Sequence, residues 1–238
     1  MNLDILIKVV IGIAAFIGIL YYIHKTDQGP STYQAVTHKN IFQVMFNPGR
    51  SGEYDVFKNL SRLEAEGAKF LFNCYLPKEN GETAEIDVLM IYKSGIYVFE
   101  SKNYSGWIFG DERQQHWMQT FSSRSGVKKY PFLNPIIQNQ AHINALKKQI
   151  TENIPIHSIV VFSDICTFKE MNVNNPRSHV IKQAQLLMTV NEIDATFGYQ
   201  LSPEYIDNIY ERLYGFSQVS DEVKARHNYN ANKRHSRF

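Results

Sequence analysis

Cysteine is almost missing from this chain. Two residues, Cys74 and Cys166, stand far apart, which excludes a disulfide framework and a zinc site and leaves reduced, buried thiols as the expectation. A strong charge of one sign is lacking too. The formal net charge is +2, so no global field draws in polyanions, and a nucleic-acid site must be local. There is no internal repeat and hence no solenoid. The absence of a P-loop excludes ATP-driven work within this chain. No G-x-S-x-G elbow and no Cys/His metal spacing occur either. What remains is a length sufficient for one domain of moderate size with additions.

The stretch from Glu85 to Lys102, EIDVLMIYKSGIYVFESK, organises the rest. Two runs rich in Ile, Val, Tyr and Phe are broken by Lys93-Ser94-Gly95, the pattern of a β-hairpin. Strand side chains alternate between faces, so Glu100 and Lys102 point to one side. A Lys93-Ser94 loop sets Asp87 opposite Glu100; a Ser94-Gly95 loop sets it opposite Lys102. Either way the three share a face, unless a bulge or longer loop intervenes. Their neighbours Val88, Leu89, Met90, Ile91, Val98 and Phe99 are apolar on both faces, as in a sheet covered on both sides. Two carboxylates held there repel each other and are costly to bury. A divalent cation relieves that repulsion, and oxygen ligands suit Mg²⁺. A surface ion-pair ladder is the alternative reading of the same charges.

Asp87 followed by Glu100-Ser101-Lys102 resembles the D-x(n)-E-x-K signature of PD-(D/E)xK nucleases. The surroundings resemble their nuclease-related branch, the NERD domain. The pieces are Gly52-Glu53 opening a helix, Glu85-Ile86-Asp87, Glu100-Ser101-Lys102-Asn103 with Gly106, Trp117, Asn134-Pro135 and Gln138. Together they run from Gly49 to Ile150, and the one departure is Ile86 where the signature has Pro. The resemblance implies an α/β fold with a restriction-endonuclease-like core, a central mixed β-sheet flanked by helices. It also implies metal-assisted phosphodiester hydrolysis. Asp87, Glu100 and the Ser101 carbonyl would hold Mg²⁺ or Mn²⁺, Lys102 would orient water or stabilise the pentacovalent charge, Glu53 would aid the metal, and Gln138 would position a phosphate or Lys102. The implied partner is nucleic acid, DNA ahead of RNA. A membrane-tethered module that binds nucleic acid or protein without cutting is the other function compatible with these residues.

The one long hydrophobic run is N-terminal. From Ile5 to Ile23 the only charge is Lys8, and as a helix the run spans about 28 Å, enough for the hydrocarbon region of a bilayer. Lys8 suits one interface, Tyr21 and Tyr22 the other, and no small-x-small cleavage site follows. Residues 1–25 therefore read as one uncleaved transmembrane helix. Lys25, Lys39 and Arg50 beyond it mildly favour a cytoplasmic globular domain in a single-pass membrane protein.

Residues 26–47 read as a linker with a short helix near Ile41-Phe42, and 48–163 as the nuclease-related domain. Within it a helix is expected from an N-cap at Ser51 to just before Gly67, with Glu53 in its first turn, where the dipole alone would favour an acid. A strand spans Lys69 to Leu76. Trp107-Ile108-Phe109 and Trp117-Met118-Gln119 form a second hairpin. Its aromatics, with Tyr104, Arg113, Arg124, Lys128 and Lys129, make either a DNA-facing platform or a packed core. Asn134-Pro135 opens a helix carrying Gln138 and, one turn on, His142, which reads as a helix-surface or packing residue. Ser158–Phe162 is a buried strand. Residues 164–216 supply a shorter strand at His179–Ile181 and two helices, the last from Ser202-Pro203-Glu204 to Gly215. Residues 217–238, with Lys224, Arg226, Lys233, Arg234 and Arg237, read as a disordered basic tail able to touch nucleic acid or lipid weakly.

Overall fold

The computed structural model describes residues 12, 16–17, 32–37, 48–124, 126–150 and 152–235. The expected membrane helix at 5–23 and the expected turn of helix at Ile41-Phe42 lie outside the described residues, apart from positions 12, 16 and 17. Among the described residues no helix is long and apolar enough to cross a membrane.

The hairpin forms as its composition requires: β2 (Thr83–Tyr92) and β3 (Gly95–Lys102) pair antiparallel through a Lys93-Ser94 loop, with Tyr92 opposite Gly95 and Val88 opposite Phe99. Gly95 stands at φ 138°, and a Cβ there would fall 2.4 Å from the Pro155 carbonyl oxygen, so no larger residue fits this turn. β1 (Lys69–Pro77) pairs with β2, and β7 (Ile156–Phe162) runs parallel to β3, followed by β9 (Ser178–Lys182). The result is a five-stranded mixed sheet in the order β1-β2-β3-β7-β9.

A single central sheet was the expectation. There are two mixed sheets, because the chain after β3 starts another. β4 (Gly106–Asp111), β5 (His116–Ser123) and β6 (Gly126–Leu133) form a meander, and β8 (Cys166–Asn172) adds in parallel to β4, giving the order β6-β5-β4-β8. Trp107–Phe109 against Thr120–Met118 is the second hairpin expected from sequence.

Helices cover the first sheet. α1 (Thr32–Thr37) falls inside the expected linker, where Tyr33 is fully buried, its ring 4.7 Å from that of Phe72 and 5.3 Å from that of Tyr54. An aromatic of that size buries enough surface to dock six residues that read as tether. α2 (Pro48–Leu60) is followed by a 3₁₀ segment, Ser61–Glu66, which Gly67 closes in the left-handed conformation. α3 (Pro135–Leu146) begins as expected, with the Asn134 side chain accepting from the Ile136 N–H. α4 (Leu186–Phe197) and α5 (Pro203–Tyr214) contribute Leu186, Val190, Ile206, Ile209 and Leu213 to the core that β1, β2 and β3 build.

The expected disordered tail is also different. Residues 221–235 form α6 (Asp221–His235), anchored where His227 Nδ1 meets Thr83 Oγ1 at 2.9 Å and Nε2 lies 3.3 Å from Glu85. Composition argued for disorder, but a histidine seated on β2 supplies a local tether that composition does not register.

Candidate active site

The site lies where β2 and β3 separate. Their pairing ends at Val88 and Phe99, so Asp87 and Glu100 stand next beyond the last paired residues. Asp87 Oδ2 instead accepts from the Ser101 backbone N–H at 2.9 Å. Even-numbered residues of β3 face α3. Lys102 Nζ donates to Glu100 Oε1 at 2.6 Å and to Gln138 Oε1 at 3.1 Å, and His142 Nδ1 lies 3.3 Å from Glu100 Oε2. Helix α3 is locked in place by buried Asn139, which donates to the Val98 carbonyl at 2.9 Å and to Ser158 Oγ at 3.0 Å. Asp87, Glu100, Ser101, Lys102 and Gln138 are thus brought together as expected from sequence.

Ser101 faces the other way, toward α2. A Cβ on Gly52 would fall 2.5 Å from Ser101 Oγ, so glycine lets the helix lie directly on the active strand. The helix starts at Pro48 rather than after Ser51, and this corrects two expectations. Ser51 is no N-cap; its Oγ accepts from Asn103 Nδ2 at 2.8 Å. Glu53 falls in the second turn, so the helix dipole does not account for it. Glu53 Oε2 accepts from Asn73 Nδ2 at 2.7 Å. Asn73, missed from sequence, is a non-glycine residue at φ 50° inside β1, at the break in the ladder between Phe72 and Cys74. An Asn within an apolar strand was the available signal, since Asn tolerates the left-handed conformation. His142 reads from sequence as a helix-surface or packing residue, yet its ring nitrogen faces Glu100.

The electrostatics separate the two carboxylates. Burial, then the charges of Glu100 and Glu53, push Asp87 well above the usual carboxylate range, with Lys102 and the Ser101 N–H opposing. Burial also pushes Glu100 up, but the Lys102 ammonium and His142 outweigh it and hold Glu100 low. Burial pulls the Lys102 pKa down, but Glu100, Tyr104 and Asp87 together raise it.

Among the described residues no group of three or more His, Cys, Asp or Glu side chains is arranged to hold a metal ion. The smaller set does fit one. Glu100 Oε2 is buried without a hydrogen-bond partner, because the His142 contact lacks hydrogen-bond geometry. Burial and two acidic neighbours push the Asp87 carboxyl well above its usual range. Both strains are of the kind a divalent cation relieves, and Asp87, Glu100 and the Ser101 carbonyl offer only oxygen, the donor set of Mg²⁺ or Mn²⁺.

The aromatic platform divides. Trp117 is 1% exposed, stacked over Phe162 with centroids 6.2 Å apart, its Nε1–H donated to the Asp111 carbonyl. Tyr104 packs on Phe132 and Phe162, and Arg113 is paired with Asp111. Trp117 and Tyr104 are structural, because the second sheet needs a core of its own, while Arg113 is exposed and engaged by Asp111. Trp107, Arg124, Lys128 and Lys129 remain exposed.

Residues 48–163 match the family model described as nuclease-related domain, NERD. A Bacillus anthracis protein of uncharacterised function is 31% identical over 179 residues, which cover 75% of this chain and 81% of that protein. No solved structure matches the chain.

Proposed function

The chain belongs to the nuclease-related domain family, and from that premise we propose that it is a membrane-anchored, metal-dependent nuclease that hydrolyses phosphodiester bonds, in DNA before RNA. The observation that carries the reading is the convergence of Asp87, Glu100, Lys102 and Gln138 where the pairing of two largely buried strands ends. Asp87, Glu100 and the Ser101 carbonyl would hold the metal. When bound, Mg²⁺ or Mn²⁺ neutralises the scissile phosphate and lowers the pKa of water.

The chain's own groups do the rest. Lys102, its pKa raised, stays an ammonium and therefore acts as a donor to water or to the developing phosphorane charge, not as a base. Gln138 accepts from Lys102 through Oε1, which turns its amide N–H₂ outward for a phosphate oxygen. His142 flanks the second oxygen of Glu100 and, with Lys102, keeps that carboxylate's pKa low. Glu53, held by Asn73, adds negative charge behind Asp87 and so favours a cation there.

Digestion of single- and double-stranded DNA and RNA by the detergent-solubilised full chain tests the proposal. Cleavage should require Mg²⁺ or Mn²⁺, stop in EDTA and vanish in Lys102→Ala, which retains metal affinity because lysine is not a ligand. No cleavage of any substrate with either metal refutes catalysis. Anchoring through residues 5–23 predicts that the full chain stays with membranes through carbonate extraction; its release into the soluble fraction refutes that part.

A further inference from the structure

The basic and acidic residues of this protein are nearly balanced, 25 to 23, but not evenly placed. From Gln114 to Ile150 there is no Asp or Glu, while Arg124, Lys128, Lys129, Lys147 and Lys148 all fall there. That stretch contains β5, β6 and α3, the helix that brings Gln138 to the site. β6 is an edge strand, exposed from Gly126 to Pro131.

Along the β5–β6 hairpin, one face changes character. Its first paired residues, Trp117 and Phe132, belong to the second core. The next pairs on that face, Gln119 with Tyr130 and Phe121 with Lys128, run out of the core into solvent. Tyr130 is 48% and Phe121 36% exposed, their rings edge to face with centroids 5.9 Å apart. This face is continuous with the active strand. Phe121 Cδ1 would lie 2.9 Å from a Cβ on Gly106, so its ring is pressed against the backbone that leaves Lys102. Between them Tyr104 donates its N–H to the Lys102 carbonyl and packs its ring on Phe132.

We infer that this face is a subsite for single-stranded nucleic acid, whose bases stack on Phe121 and Tyr130 and whose phosphates meet Lys128 and Arg124, leading the strand toward Lys102. Two exposed rings on a strand surface can engage only bases whose faces are open, and a duplex hides them. The acid-free stretch supplies the complementary charge for a polyanion in a protein with no net field of its own. The inference deepens the nuclease reading by naming the substrate class, and it rests on that reading for where the strand leads.

The test is anisotropy with the detergent-solubilised full chain in EDTA, using fluorescent oligothymidylate, oligouridylate and a duplex of about 20 base pairs. The wild type should bind the single strands more tightly than the duplex; the two single-strand arms decide the sugar preference. Phe121→Ala/Tyr130→Ala should weaken single-strand binding by about tenfold or more, and Phe121→Tyr/Tyr130→Phe, which keeps both rings, should restore it. Lys128→Gln should lower the salt dependence by about one phosphate contact. Unchanged affinity in the double alanine variant overturns the inference, as does a wild type that prefers duplex. So does a double alanine variant that changes only self-association of the exposed edge strand. Because binding is read without metal, an inactive protein that binds this way defeats only the nuclease proposal. Cleavage indifferent to Phe121 and Tyr130 defeats only the subsite.

Discussion

Asp87 and Glu100 are chemically similar side chains next to the same ladder end, yet their pKa values move in opposite directions. The reason is partner choice. Lys102 and His142 serve Glu100, whereas the pull of Lys102 and a backbone N–H on Asp87 is outweighed by burial and two acids. A carboxyl whose folded pKa is raised stabilises the fold while protonated, and that contribution fades as pH climbs through the folded value. Metal-free Asp87→Asn, which keeps an acceptor for Ser101, should therefore be no less stable than wild type. Its advantage should grow from acid toward neutral pH and close again in acid; Mg²⁺ should raise the wild-type melting temperature more than the variant's. Melts in EDTA and Mg²⁺ across that pH range check this, and a destabilised variant with no metal response in wild type would sink the metal site. Glu100→Gln is the contrasting change. It leaves the buried Lys102 ammonium unpaired and should cost about 3 kcal/mol or more in chemical denaturation without metal.

Two helices clamp the active strand from opposite sides, and their contacts differ in kind. α3 is held by polar bonds from Asn139, α2 by the absence of a side chain at Gly52. Asn139→Ala strands two buried partners and should cost about 2 kcal/mol, read from denaturant midpoints. Gly52→Ala sets a methyl 2.5 Å from Ser101 Oγ and 3.6 Å from its Cβ, so the serine must turn its hydroxyl away or the helix must give. The change should cost roughly 1–3 kcal/mol and lower nuclease activity, because Ser101 and the helix that carries Glu53 meet at this contact. Adding Ser101→Ala should recover part of the stability in a double-mutant cycle. Additive losses would show that the two residues do not meet.

At the scale of the whole molecule, segments distant in sequence close over the nuclease-related region. α1 docks on β1 through Tyr33, while α6 is pinned to β2 by His227. His227→Ala should cost about 1 kcal/mol and speed amide exchange in α6 without altering exchange in β2 and β3.

Strand alternation made the hairpin and the shared face of Asp87, Glu100 and Lys102 legible from sequence, since period two needs no distant partner. The capping of α3 was equally legible, because Asn134 and Pro135 act on the turn beside them. The loop choice was not, and the tertiary structure decided it: Gly95 must pass the Pro155 carbonyl, a residue sixty positions away. Nor could sequence sort the aromatics. Trp117 and Trp107 stand on strands of the same sheet, and only the packing of Phe162 against one face buries the first and exposes the second. Asn73, His142 and Gly52 took their roles by the same route. Asn73 stood out only as a polar residue in an apolar strand and Gly52 only as part of the resemblance; what each does comes from a side chain or backbone that the fold carries to it, which no local pattern encodes.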